Sequence, residues 1–179
     1  MTTATLSPSF VAAAAPRAAR QLILDDLRYF PAARLAALYE GAPPPALDAL
    51  SGDLRGRMLA VPAVPLAISA LPSAWARTST FPWRGKSFQP LGADRGEGIN
   101  RVVLDRFRLF RFETKVGPSL DDGAPAVLLN YDLPENPGFI RRIDDEIREI
   151  QPGLHLGQAW LRLRGTPRFV LWFALTSRT

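Results

Sequence analysis

Val127-Leu128-Leu129-Asn130-Tyr131 is an unbroken β-prone run, and the residues that follow it decide the fold. In Asn130-Tyr131-Asp132-Leu133-Pro134-Glu135-Asn136-Pro137, two prolines and several polar side chains stand where the strand must end. Loops of this kind tend to carry binding and catalytic groups on a scaffold that holds them still. Asn136-Pro137 reads as a helix start, with Asn as the cap and Pro at the first helical position. Ile140, Ile143, Ile147 and Ile150 then recur at helical spacing. The pairs Arg141/Asp145, Arg142/Glu146 and Asp144/Arg148 lie four apart, as on a solvated helix face. The spacing predicts a helix that Pro152-Gly153 closes. Leu154–Arg164 and Arg168–Leu175 form a hairpin around Gly165-Thr166-Pro167. The final strand is apolar on both faces, which predicts burial on both sides.

Upstream, strands are expected at Asp53–Ala60, Trp83–Phe88, Ile99–Leu104 and Phe107–Val116. In the last of these, Phe110, Phe112, Thr114 and Val116 share one face, while Arg111, Glu113 and Lys115 share the other. Asp105-Arg106 lacks the Gly or Asn of a tight hairpin, so these two runs are either paired strands or one long bulged strand. Gly117 to Gly123 is a turn into the Val127 strand. Gly92-Ala93-Asp94-Arg95-Gly96-Glu97-Gly98 reads as a flexible loop, without the strand-to-helix setting of a dinucleotide loop. Residues 61–82 contain Pro62, Pro65, Pro72 and Pro82 and read as a long connection with a helical turn around Leu66–Leu71.

Residues 1–16 read as a flexible tail, and residues 17–46 as two short helices broken at Pro31, then a proline-rich linker. A helical turn around Leu47–Leu50 opens a β-rich unit over 47–179. The helices are expected to pack on the outside or end of the sheet, with a lid as the alternative. About seven mostly antiparallel strands with N-terminal helices and one inserted helix predict a β-rich α+β fold. Such a fold is an antiparallel β-barrel or strongly curved sheet, and a barrel of about eight strands can enclose a small ligand.

Composition narrows the chemistry. The chain has no cysteine and a single histidine, His155, which excludes thiolate sites and a multi-histidine metal centre within one chain. The formal charge is +5, yet all basic residues except Lys86 and Lys115 are arginines scattered along the chain, so nucleic acid is not the expected partner. No segment approaches the ~20 apolar residues of a membrane-spanning helix. Phe10–Ala15 is too short, and lacks the preceding basic residues, for a signal peptide. A cytoplasmic location is expected.

Trp83-Arg84-Gly85-Lys86-Ser87-Phe88 is the sharpest local pattern. Together with Phe139-Ile140-Arg141-Arg142-Ile143-Asp144-Asp145 it resembles the GXWXG / DUF4334-like bacterial family. That resemblance implies a calycin, a lipocalin-like barrel, with a hydrophobic pocket. It also implies a strand after Phe139, against the helix that the isoleucine spacing predicts. The name-giving motif falls on Gly52-Asp53-Leu54-Arg55-Gly56, where Leu54 replaces the tryptophan.

The leading expectation is a small-molecule binding protein that holds an apolar ligand in the barrel. Trp83, Lys86, Arg111, Glu113, Tyr131 and Asp132 are the expected rim, with His155 and Trp160 as further ligand-binding candidates. The alternative is a cofactor-independent isomerase or cyclase of a hydrophobic substrate, with Tyr131, Glu113 and Lys86 as catalytic candidates. A third reading is a protein-interaction module, with the N-terminal helices and proline-rich linker as its docking surface. No cofactor is expected. Haem on His155 is the minor alternative, since one proximal histidine suffices.

Overall fold

The computed structural model describes residues 20–59, 83–102 and 106–177. Eight strands occupy most of them: β1 (Gly52–Met58), β2 (Trp83–Pro90), β3 (Arg95–Val102), β4 (Phe107–Pro118), β5 (Pro125–Asn130), β6 (Ile143–Gln151), β7 (Leu154–Leu163) and β8 (Thr166–Thr176). Each pairs antiparallel with the next in sequence, and β8 returns to β1, so the sheet closes into a barrel. Closure removes both sheet edges. The architecture is β-rich and consistent with a calycin-like barrel. The predicted 1–16 tail, the 61–82 connection and its helical turn lie outside the described residues.

Alternation sorts the side chains into an inside and an outside. Leu54, Phe88, Phe112, Val127, Leu129, Ile147, Phe173 and Leu175 fill the barrel, and Leu47 and Leu50 join the same cluster from a 3-10 turn at Leu47–Ala49. A second cluster lies on the outer wall. There Leu154, Leu156, Trp172 and Ala174 of β7 and β8 are covered by Leu24 and Leu27, and by Leu35 and Tyr39 of α1 (Ala32–Glu40). The final strand is therefore buried on both faces, as its sequence predicts. The N-terminal segment spends its apolar face on the barrel wall. Arg148 fastens it there: fully buried, this side chain donates to the Tyr39 carbonyl and pairs with Asp122 through two bonds of 2.7 and 2.6 Å.

Three sequence expectations need correction. The helix after Pro137 is a 3-10 turn (Ile140–Arg142) followed by β6. A spacing of four is even, so Ile143 and Ile147 share a strand face as readily as a helix stripe. Asn136 does not cap a helix; its amide donates to the Arg111 and Tyr131 carbonyls. The charged residues Arg141 and Asp144 pair on the outer surface instead, Arg141 with Asp132 and Asp144 with Arg162 of the neighbouring β7. Second, Arg95–Gly98 belongs to β3 rather than to a flexible loop. Gly98 makes room for the ring of Phe112, its partner on β4, since a Cβ there would meet that ring at 2.4 Å. Third, the N-terminal segment contains one α-helix among the described residues, with a 3-10 turn at Asp26–Tyr29 before Pro31. No helix among the described residues is long and apolar enough to cross a membrane.

Candidate functional site

In an up-and-down barrel the β1–β2, β3–β4, β5–β6 and β7–β8 connections share one end. The other end receives the N-terminal entry and the short β2–β3, β4–β5 and β6–β7 turns, and it is where Leu47 and Leu50 join the core. The sequence around Trp83 and the loop after Tyr131 therefore fall at the same end.

Just inside that end sits a buried polar cluster. Lys86 is 2% exposed, and its ammonium has three acceptors: Asn100 Oδ1 at 2.8 Å, Asp145 Oδ2 at 2.9 Å, and the Tyr131 hydroxyl. Tyr131 in turn donates to Asp145 Oδ2 at 2.9 Å and accepts from Asn100 Nδ2 at 3.1 Å. Trp83 Nε1 donates to Asn100 Oδ1 at 3.0 Å. The rings of Trp83, Phe112, Tyr131 and Phe173 surround the ammonium at 5.2–5.5 Å, within the range of cation–π attraction. The donor count closes for Lys86, Asn100, Tyr131 and Trp83. Asp145 Oδ1 accepts nothing among the described residues, and its carboxylate side chain keeps 7% of its surface.

Local sequence explains how these groups converge. Trp83 and Lys86 are three apart and cannot both face inward on a regular strand. A bulge between Trp83 and Gly85 resolves this, with Gly85 at φ +135°. A Cβ at Gly85 would lie 2.0 Å from the Leu54 carbonyl, so only glycine allows β1 and β2 this close. A second bulge, at β3–β4, leaves Phe110 at φ +62°, and its carbonyl accepts from Asn100. Asp145 arrives on β6 beside Ile147. The two quoted elements, Trp83–Phe88 and Phe139–Asp145, thus meet at one point.

Burial dominates the electrostatics. It pushes the Lys86 ammonium below its ordinary pKa, and Asp145 opposes that shift. It pushes Tyr131 well above the usual phenol range, with the Asp145 charge acting in the same direction. Tyr131 is thus a neutral hydrogen-bond donor at neutral pH.

The remaining expected site residues lie elsewhere. Arg111 and Glu113 are exposed on the outer wall, where Arg111 pairs with Glu97 at 2.7 Å. On β4 the alternation that turns Phe112 and Thr114 inward turns these two outward. Asp132, one residue past Tyr131, also faces out and accepts from Arg141 Nε at 2.7 Å. Trp160 lies on the outer wall, donating to Glu146 and packing edge-on against Phe169. His155 pairs with Glu149 and Leu175 on the interior side but at the opposite end. The rim that the sequence suggests is therefore reduced to Trp83, Lys86 and Tyr131. Sequence reasoning missed Asn100 and Asp145. A period-two reading of Ile143-Asp144-Asp145-Glu146-Ile147 places Asp145 on the isoleucine face, which is the signal that finds it.

Between the cluster and the opposite end the barrel is packed with side chains, and the best-formed concavities among the described residues lie on its outside. No group of His, Asp and Glu among the described residues is arranged to hold a metal ion.

No family model matches the chain, and no curated protein matches it. A crystal structure of a protein from Thermomonospora curvata is similar over 84% of this chain and 89% of that one, with a TM-score of 0.51 and 18% identity. Identity this low speaks for the fold alone.

Proposed function

We propose that this protein binds a small, mostly apolar molecule at the Trp83 end of its barrel and meets the ligand's polar group with the Lys86–Asp145–Tyr131–Asn100 cluster. The cluster itself carries the reading. Burying an ammonium and a carboxylate costs several kcal/mol per ion, and apolar side chains of similar volume are often at least as stabilising. A barrel that needed only a packed core gains nothing from this arrangement. Asp145 Oδ1 is an unfilled acceptor among the described residues, so the fitting ligand presents a donor, such as the hydroxyl of an apolar alcohol or phenol. Half-buried Trp83 supplies an aromatic wall and a reporter. Convergence of the two quoted elements on this cluster also supports kinship with the GXWXG / DUF4334-like family.

The test is a tryptophan-fluorescence titration with terpenoid alcohols and phenols, each beside its hydrocarbon counterpart. The expected result is saturable binding of an alcohol, with the hydrocarbon weaker by roughly tenfold, the value of one hydrogen bond. Equal binding of both, or no binding up to millimolar concentration, overturns the proposal.

A second reading is favoured by the path from Lys86 through the Tyr131 hydroxyl to Asp145. Such a relay suits proton transfer in a cofactor-independent isomerase or cyclase. On that reading Tyr131→Phe abolishes turnover of a bound compound and leaves its affinity within about twofold.

A further inference from the structure

A concave surface formed by the described residues lies apart from the buried cluster. It lies outside the barrel, between the β5–β6 loop and the β7–β8 turn, with a volume of about 540 Å³. Its lining is Asp132, Gly138, Arg141, Arg142, Arg162, Arg164 and Gly165. We propose that this pocket is a binding site for a phosphate-bearing ligand, independent of the barrel interior.

Charge bookkeeping supports it. Arg141 is held through Nε by Asp132, and Arg162 through Nε by Asp144 at 2.9 Å. Each keeps further N–H donors, with one from Arg162 going to the Arg141 carbonyl. The Arg142 and Arg164 side chains make no ion pair and no hydrogen bond among the described residues. Among the described residues the pocket therefore carries two uncompensated guanidinium groups beside two that are braced, and planar guanidinium forks match phosphate oxygens in pairs.

The turn adds a second, independent argument. Arg164 sits at φ +51° and Gly165 at φ +82°, the two central positions of a tight hairpin. Asn, Asp or Gly suit the first of these, whereas arginine there is strained. Gly138 and Gly165 have open space where a Cβ would stand, which leaves the floor clear. The volume is in the range of small-molecule sites and exceeds what a bare phosphate needs.

The shared chemistry is a phosphate group, and two sources supply it: a soluble phosphorylated metabolite or a lipid headgroup. The test uses inorganic pyrophosphate by calorimetry and, in parallel, co-sedimentation with phosphatidylcholine vesicles with or without phosphatidic acid. The variant is Arg142→Gln/Arg164→Asn, since asparagine tolerates the left-handed turn position. Arg84→Gln/Arg95→Gln removes the same charge from exposed positions outside the pocket. An unchanged urea midpoint establishes that both variants are folded. The expected result is saturable binding that the pocket variant weakens roughly tenfold or more and the control less than about twofold. Pyrophosphate binding without sedimentation assigns a soluble ligand, and sedimentation on phosphatidic acid alone assigns a headgroup. Equal losses in the two variants, or binding in neither arm, overturns the proposal. Alcohol binding in the barrel is scored separately by tryptophan fluorescence, so either reading can fail without the other.

Discussion

Replacing His155 with leucine tests the packing of the end opposite Trp83 through its pH dependence. The ring is 1% exposed, and neither nitrogen has a hydrogen-bond partner among the described residues. Burial lowers its pKa to about 4, and Glu149, opposite it on β6, opposes that shift. The unfolded chain titrates His155 near 6.5, so between the two values only the unfolded chain is protonated there. Unfolding free energy therefore falls as pH falls through this window. At about 1.36 kcal/mol per unit, the loss reaches about 3 kcal/mol by pH 4, and about 2 kcal/mol of it is gone by pH 5. Urea unfolding of wild type and His155→Leu at pH 7, 6 and 5 isolates the effect, because every other titrating group is common to both. Wild type is expected to lose about 2 kcal/mol more than the variant between pH 7 and pH 5. Parallel curves refute the reasoning, as does an NMR titration of the His155 ring with a midpoint at or above its unfolded value.

Two further perturbations separate structure from function. Lys86→Met strands Asp145 inside the barrel and is expected to cost about 3–5 kcal/mol, while Lys86→Met/Asp145→Leu recovers most of that loss. Urea unfolding at pH 7 measures the cycle, and simple additivity of the single variants contradicts a paired network. Arg148→Ala removes the bonds to Asp122 and to the Tyr39, Ala124 and Pro125 carbonyls. It is expected to cost about 2–4 kcal/mol and to speed proteolytic cleavage near α1, and an unchanged cleavage rate would show that the outer apolar contacts suffice.

Much of the barrel is legible in the sequence because its strands alternate. Phe112 and Thr114 against Arg111 and Glu113 separate inside from outside, and the doubly apolar β8 announces cover on its outer face. β6 escaped because its isoleucines lie four apart, a distance that strand and helix share, and because its polar residues are not all solvated. Glu146 and Arg148 are buried under the N-terminal segment, and Asp145 inside the barrel. Their burial depends on partners far away in sequence: Arg148 on Asp122 and Tyr39, Asp145 on Lys86. No local pattern records such pairings. Trp83 and Lys86 could be found together only as a motif, since the bulge at Gly85 breaks the period that would relate them.

The two polar regions at the Trp83 end are divided by the barrel wall, yet the same short segments build both. Tyr131 turns inward to Lys86, and the next residue, Asp132, turns outward to Arg141. Asp145 turns inward to Lys86, and the preceding residue, Asp144, turns outward to Arg162. Adjacent Cα atoms are about 3.8 Å apart, so neither member of a pair can shift far without its neighbour. The wall here is a single strand thick, and its two faces are braced by ion pairs of opposite orientation. Asp144 adds a further link: burial raises its carboxyl pKa, the Arg162 charge lowers it, and the neighbouring Asp145 charge raises it. An anion that draws Arg162 away from Asp144 removes the lowering influence and leaves two carboxylates side by side on β6. Occupancy of the outer pocket would then be felt at Asp145, whose Oδ1 accepts nothing among the described residues. Coupling of this kind needs no moving domain, only the alternation of a strand whose consecutive aspartates serve different sides.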